Sequence, residues 1–272
     1  LTSSAILNLN NENFDLNTGV EIYENLGEVK NNDRYQFVFP YYDLSFSSIN
    51  FKNGLVRLDS SGNSRLINTN NLKTKIVNNL VYEKIENYTD YGFKNNFSVY
   101  FKNVNRLSKK DLKYKSSPQL ELSSIFEFNS SFPLSKIKNN NINYLIPKLS
   151  LRYNPTNMND NSNSTNNISI DSIFGINRLG LTDTFESGKS LTIGLDFKKE
   201  DMKDINKFFE VKLATVLRDK KEKQISSSST INRKASNLFG AINSNFSEFF
   251  NLEYNFAVDN DLVTFESNNI KT

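Results

Sequence analysis

The stretch Ser190-Leu191-Thr192-Ile193-Gly194-Leu195-Asp196-Phe197-Lys198 decides the fold class. Leu191, Ile193, Leu195 and Phe197 fall on one parity; Ser190, Thr192, Gly194, Asp196 and Lys198 fall on the other. Successive side chains of a strand point to opposite sides of its sheet, so this alternation specifies a strand with one apolar and one polar face. The pattern recurs along the chain. Phe97, Val99 and Phe101 oppose Ser98 and Lys102; Leu120, Leu122, Phe126 and Phe128 oppose Glu121, Ser123 and Glu127. Leu149, Leu151 and Tyr153 oppose Lys148, Ser150 and Arg152, and Phe209, Val211 and Leu213 oppose Glu210 and Lys212. A run of Phe246, Phe250, Leu252, Tyr254, Phe256 and Val258 shares one parity, broken at Glu248. About twelve strands are expected, several longer than the ~5–6 residues of an ordinary globular strand.

Composition agrees with an all-β chain. Of 272 residues, 44 are Asn and only 5 are Ala, while Phe and Tyr together number 34. Aromatic residues favour the pleated surface of a sheet, and Ala is depleted there. Thirty-three basic and 30 acidic side chains leave a net charge of +3, too even for a nucleic-acid-binding surface. The chain has no His and no Cys. Ser-His-Asp and Cys-His catalysis, disulfides, iron–sulfur clusters and zinc held by His or Cys are therefore excluded. No cofactor or metal is expected.

The connections divide into two kinds. Lys52-Asn53-Gly54 and Ser60-Ser61-Gly62-Asn63 suit hairpin turns. Asn154–Asn167 and Asp219–Thr230 read as long, mobile polar loops, the first with Met158 as its only large apolar side chain. Pro133, Pro147 and Pro155 read as strand-end residues, and Pro40 as the end of a strand begun at Arg34. Short turns at one end and long loops at the other are usual in outer-membrane barrels. There the apolar parity faces lipid and the polar parity a wet lumen, and strands of ~9–11 residues cross the bilayer. Tyr23, Tyr35, Tyr41, Tyr42, Tyr82, Tyr100, Tyr114, Tyr144 and Tyr153 are candidates for aromatic girdles at the membrane surfaces. A secreted β-sandwich would alternate equally well, with its apolar parity in a core.

Few residues suggest chemistry. The carboxylate pairs Asp183/Glu186 and Asp201/Asp204 lie in polar links, and Ser226–Ser229 has no His to activate it. Lys220, Lys221 and Lys223 read as a solvated loop. No phosphate-binding Gly-x-x-x-x-Gly-Lys motif occurs, so an enzyme is not expected.

One segment carries more than pattern. In Asn177-Arg178-Leu179-Gly180-Leu181-Thr182-Asp183-Thr184-Phe185-Glu186-Ser187-Gly188, the residues Asn177, Arg178, Asp183, Glu186 and Gly188 stand at the spacing of Asn-Arg-x-x-Gly-x-Asp-x-x-Glu-x-Gly. That signature belongs to the barrel domain of the lipopolysaccharide-assembly family LptD, which the segment resembles. The signature's first glycine is displaced, with Leu181 at its position and Gly180 one place early. Blocks similar to the family's follow in its order. They are Asp33-Arg34-Tyr35 with Phe39-Pro40, Pro147 to Tyr153, Leu217-Arg218-Asp219, Lys234 to Gly240, and Phe256 to Asp259. Leu217 replaces the family's Tyr, and Asn237 its usual Asp.

The resemblance implies an antiparallel transmembrane β-barrel of the outer membrane, of which residues 1–272 are an internal section. The N-terminal jelly-roll domain and the terminal strands of a barrel of roughly twenty-six strands lie outside it, so the section is expected as an open curved sheet. The implied function is passage of lipopolysaccharide to the outer leaflet. The implied partners are lipopolysaccharide, an LptE-type lipoprotein plug and, through the jelly roll, an LptA-type periplasmic bridge. Lys148, Arg152, Lys198, Lys212 and Arg218, on the polar parity, become candidates for transient phosphate contacts. The alternatives are another outer-membrane barrel, a porin or receptor, or a secreted β-rich adhesin.

Overall fold

A computed structural model describes residues 1–27, 34–67, 70–111, 115–165, 167–247 and 250–272. Asp33, Tyr114 and Glu248 lie outside the described residues.

The described residues are all-β and form sixteen strands. They are β1 (Thr2–Asn10), β2 (Phe14–Glu24), β3 (Tyr35–Phe46), β4 (Ile49–Phe51), β5 (Gly54–Ile67), β6 (Asn71–Lys84), β7 (Asn87–Tyr88) and β8 (Lys94–Lys109). The rest are β9 (Gln119–Ser131), β10 (Leu134–Lys138), β11 (Asn141–Asn154), β12 (Gly188–Asp201), β13 (Phe208–Arg218), β14 (Leu238–Ser247), β15 (Phe250–Val258) and β16 (Phe265–Lys271). The hydrogen-bonded order is β1-β2-β3-β5-β6-β8-β9-β11-β12-β13-β14-β15-β16, an antiparallel meander. The short strands β4, β7 and β10 pair with β5, β8 and β11. Among the described residues no helix is long and apolar enough to cross a membrane.

Two compact units make up the chain: Leu1–Lys84 with Val99–Ser124, and Ile85–Ser98 with Ile125–Thr272. In the first, β5 and β6 pair without a break from Gly54↔Lys84 to Ile67↔Asn71. β3 does not stop at Pro40. It runs on to Phe46, with a register shift between Val38 and Tyr41 against β5 and between Gly19 and Glu21 of β2. The proline, which has no N–H to give to a ladder, is accommodated in this bulge.

In the second unit, β11, β12 and β13 pair in continuous register. Pro147 lies inside β11, opposite Leu195, rather than at a strand end. On the other edge of β11 it marks where the neighbour changes from β10 to β9, since β10 pairs with residues 141–145 and β9 with 148–153. The run that includes Phe246 and Phe250 is two strands of a hairpin, β14 and β15. Two long connections, 155–187 and 219–237, leave one end of the β11–β14 sheet, while the short 202–207 turn joins β12 to β13 at the other.

The distribution of apolar side chains on β12 is inverted relative to a water-soluble sheet. Ile193 and Leu195, on the apolar parity, are 43% and 38% exposed. Ser190 and Thr192, on the polar parity, are 7% and 0% exposed. Neighbouring strands repeat this. Phe128, Leu145, Leu151, Tyr153, Phe209 and Leu217 are exposed, whereas Glu127, Ser150, Arg152, Asn154, Ala214, Val216 and Arg218 are buried. What covers the polar parity is the pair of long connections.

Candidate functional site

The polar loops expected over Asn154–Asn167 and Asp219–Thr230 belong to longer connections, 155–187 and 219–237, that carry buried apolar side chains. Met158, Ile168, Ile170, Ile173, Leu179 and Leu181 from the first, with Ile225 and Ile231 from the second, form one buried cluster. It closes on Ala214, Val216, Phe239, Ala241 and Ala257 of the strands. Each of those strand residues lies on the parity opposite the exposed Phe and Leu side chains, where Ala214, Val216, Ala241 and Ala257 are small and leave room for the incoming segments. Ser226 and Ser229 are buried too. Ser226 donates its hydroxyl to the Ser164 carbonyl, and Ser227–Ser229 form a 3-10 turn. Burying these connections satisfies the apolar residues that a solvated loop would leave wet.

Local turns build the signature segment. Gly175 N–H donates to Ser172 O at 2.8 Å, Arg178 N–H to Gly175 O at 3.1 Å, and Gly180 N–H to Asn177 O at 2.9 Å. Gly180 takes φ +64°, a left-handed conformation suited to glycine. The Asn177 side-chain oxygen accepts the Leu181 N–H at 2.7 Å and closes the turn. The one-place displacement of the glycine therefore falls where this turn uses it. Gly188, at φ +81°, turns the chain into β12. Phe174 lies over Gly194, where a Cβ would come within 2.7 Å of its ring.

The turns deliver Arg178 into a buried ionic cluster. Its Nε donates to Glu186 Oε2 at 2.7 Å and its Nη2 to Oε1 at 2.6 Å, a bidentate pair. The same guanidinium donates to Thr192 Oγ1 at 2.8 Å and Ser190 Oγ at 3.0 Å. Arg218, from the end of β13, donates to Glu186 Oε1 and to the Ser187 carbonyl. Arg152 of β11 donates Nε to Glu127 Oε2 at 2.5 Å and Nη2 to the Phe174 carbonyl at 2.7 Å. Asn154 donates its amide to the Phe185 and Glu186 carbonyls. Three guanidiniums thus meet two carboxylates, fastening the signature segment to β9, β11, β12 and β13.

Burial alone would raise the pKa of Glu186. The positive charges of Arg178, Arg218 and Arg152, with the Arg178 hydrogen bonds, overrule it and hold the carboxyl at about 2. Glu186 is therefore ionised at any physiological pH and cannot serve as a general acid. Asp201 Oδ1 accepts the N–H groups of Lys203 and Asp204 and so stabilises a turn. Among the described residues no group of His, Cys, Asp and Glu is placed to hold a metal ion.

The structure thus gathers Arg178, Glu186, Arg152 and Arg218 into one cluster, with Asn177 and Gly188 shaping the turns on either side. Asp183 lies half-buried in the same segment. Arg152 and Arg218 are buried and committed to the protein's own acceptors, so neither is displayed to a passing phosphate. The lysines are different. Lys148, Lys198 and Lys212 remain partly exposed on the polar parity, beside Asp196, Glu200 and Glu210 respectively. Glu127, Asn154 and the apolar cluster escape sequence reasoning, because their partners lie far along the chain. Asn237 is buried and donates Nδ2 to Glu266 at 2.6 Å. Compared with protein-family models and with curated proteins, the chain matches none.

Proposed function

We propose that this chain is a section of an outer-membrane β-barrel that passes lipopolysaccharide to the outer leaflet, as the LptD family does. The observation that carries the membrane reading is the inverted sheet. Side chains such as Ile193 and Leu195 are exposed, while their polar alternates Ser190 and Thr192 are buried beneath the protein's own segments. A sandwich would bury the apolar parity; a barrel in lipid exposes it. An apolar cavity of about 480 Å³, lined by Phe126, Phe128, Leu151, Leu191 and Leu217, lies on the same apolar face and suits acyl chains. The cargo is argued from the signature. Asn177, Arg178, Glu186 and Gly188 act together in one folded element, as residues of a shared motif do when each depends on the others.

In this reading the part of the polar parity that the connections leave uncovered faces a wet lumen. Lys148, Lys198 and Lys212 offer phosphates shallow, partly neutralised contacts, because each already has a carboxylate beside it. Such contacts favour transit over capture, since the competing carboxylate lowers the gain from each phosphate. An LptE-type plug and an LptA-type bridge are the partners this function requires.

Site-specific photocrosslinking in cells tests the reading. A photoreactive residue replacing Lys198 or Lys212 in the full-length protein should form adducts with lipopolysaccharide. The same group at Ile193 should capture membrane lipid. Lysine positions that yield no lipopolysaccharide adduct, while Ile193 still captures lipid, would point to a porin or receptor barrel instead.

A further inference from the structure

On the polar face of the first unit, the bulge in β3 creates a second feature. Cross-strand partners share a face. Glu21 pairs with Val38 and Val38 with Arg65; Gly19 pairs with Tyr41 and Tyr41 with Asn63; Asn17 pairs with Asp43. Val38 and Tyr41 are three positions apart and would normally face opposite ways. The bulge between them re-aims the strand, so both share the face of Glu21 and Arg65. Tyr41 is thereby brought to the polar side instead of joining an outward aromatic girdle.

The absence of a side chain at Gly19 decides how Tyr41 sits. A Cβ there would lie 2.9 Å from the Tyr41 hydroxyl and 3.1 Å from its Cε1. The ring therefore lies across the glycine, one side against the β2 backbone and the other turned away from it. Beside it is a cavity of about 500 Å³, lined also by Gln36, Asp43, Asn63 and Arg65. Among the described residues, the side chains of Gln36, Asp43 and Asn63 have no hydrogen-bond partner within the protein. Amide, carboxylate and guanidinium groups arranged around a flat aromatic platform are what a pyranose ring needs. Its C–H face stacks on the ring, and its hydroxyls find planar donors and acceptors at the edges.

We propose that this cavity is a saccharide subsite, with Tyr41 as the stacking platform and Gln36, Asp43, Asn63 and Arg65 as hydroxyl partners. The inference rests on the lumen reading of this face, and its ligand is the sugar portion of the transported glycolipid. The mixed charges select hydroxyl-rich sugar over bare phosphate, because Asp43 and Glu21 repel an anion that Arg65 alone would attract.

The test uses full-length protein in phospholipid nanodiscs, titrated with the lipid-free oligosaccharide released by mild acid from the lipopolysaccharide of the same cells. Wild type should bind. Tyr41→Phe should bind equally, since the ring is kept. Tyr41→Ala should weaken binding about tenfold. The double variant Asp43→Ala/Asn63→Ala, which breaks no internal hydrogen bond, should also weaken it severalfold and covers the case in which Tyr41→Ala misfolds. Binding unchanged in the double variant, or no binding by wild type, would overturn the subsite. Lysine photocrosslinking separates that failure from failure of the transport reading. Adducts without saccharide binding remove the subsite alone, and loss of both removes both. Saccharide binding that depends on Tyr41 without adducts supports the subsite and removes the transport reading.

Discussion

Arg178 holds Glu186, eight residues further on, through two parallel hydrogen bonds of 2.7 and 2.6 Å, and Arg218 closes on the same carboxylate from β13. The contact joins a connection to the sheet beneath it. Without it, the segment would keep its apolar cluster and the hydrogen bonds from Arg152 and Asn154, but two guanidiniums would face each other with no intervening charge.

Glu186→Gln is therefore expected to be among the costliest single changes in the chain. It leaves two buried arginines short of one counter-charge, a loss of about 3–5 kcal/mol. Lys221→Gln, on an exposed position of 219–237, should stay within ~0.5 kcal/mol. Urea midpoints of the full-length protein in detergent compare the two. Equal midpoints would show that the cluster does not hold the fold.

Acid should act through the same carboxylate. The folded pKa of Glu186, about 2, lies below its ordinary 4.5. Its ionised form is thus favoured by folding, and the stabilisation is complete above pH 4.5. It is lost as pH falls from 4.5 through 2, because the unfolded chain takes up the proton first. Unfolding midpoints measured across that window should fall more steeply for wild type than for Glu186→Gln. Parallel slopes would contradict the assignment.

The contact between Phe174 and Gly194 predicts a paired effect. Gly194→Ala pushes a methyl into the ring at 2.7 Å and should destabilise by about 1–3 kcal/mol. Adding Phe174→Leu should recover part of that loss. Limited proteolysis reports it, with cleavage within 155–187 appearing in the single variant and receding in the double one. A single variant as resistant as wild type would mean that the ring does not need the glycine.

Much of this was legible in the sequence, for a physical reason. A strand's two faces are written two residues apart, so β12 and β13 show their alternation without reference to any partner. Their polar parity carries charge at Asp196, Lys198, Glu210, Lys212 and Arg218, whereas Ser190, Thr192, Ala214 and Val216 give no sign that they are buried. The connections are different. Met158, Ile168, Ile170 and Ile173 follow no period, because the surface they bury against comes from β13, β14 and the 219–237 segment. Read locally they are isolated residues in polar sequence, and Ser226 and Ser229 look like solvent-facing serines. Thr192 shows the same gap. By parity alone it faces a wet lumen and should accept Arg. In the structure it is fully buried and accepts a hydrogen bond from Arg178, so Thr192→Arg should disrupt the cluster. Arg178 and Glu186 stand eight residues apart in one quoted segment, yet nothing in the sequence pairs them, and Glu127 shows nothing beyond its parity.

The orientation of β12 remains the central claim, and a lipid-soluble quencher tests it most directly. The chain has no Cys, so single cysteines can carry a fluorophore at chosen positions of the full-length protein in bilayers, provided that any cysteine elsewhere is first replaced. Labels at Ile193 and Leu195 should be strongly quenched, and labels at Asp196 and Lys198 should not. Equal quenching on both parities, or none on either, would contradict a sheet whose apolar face meets lipid.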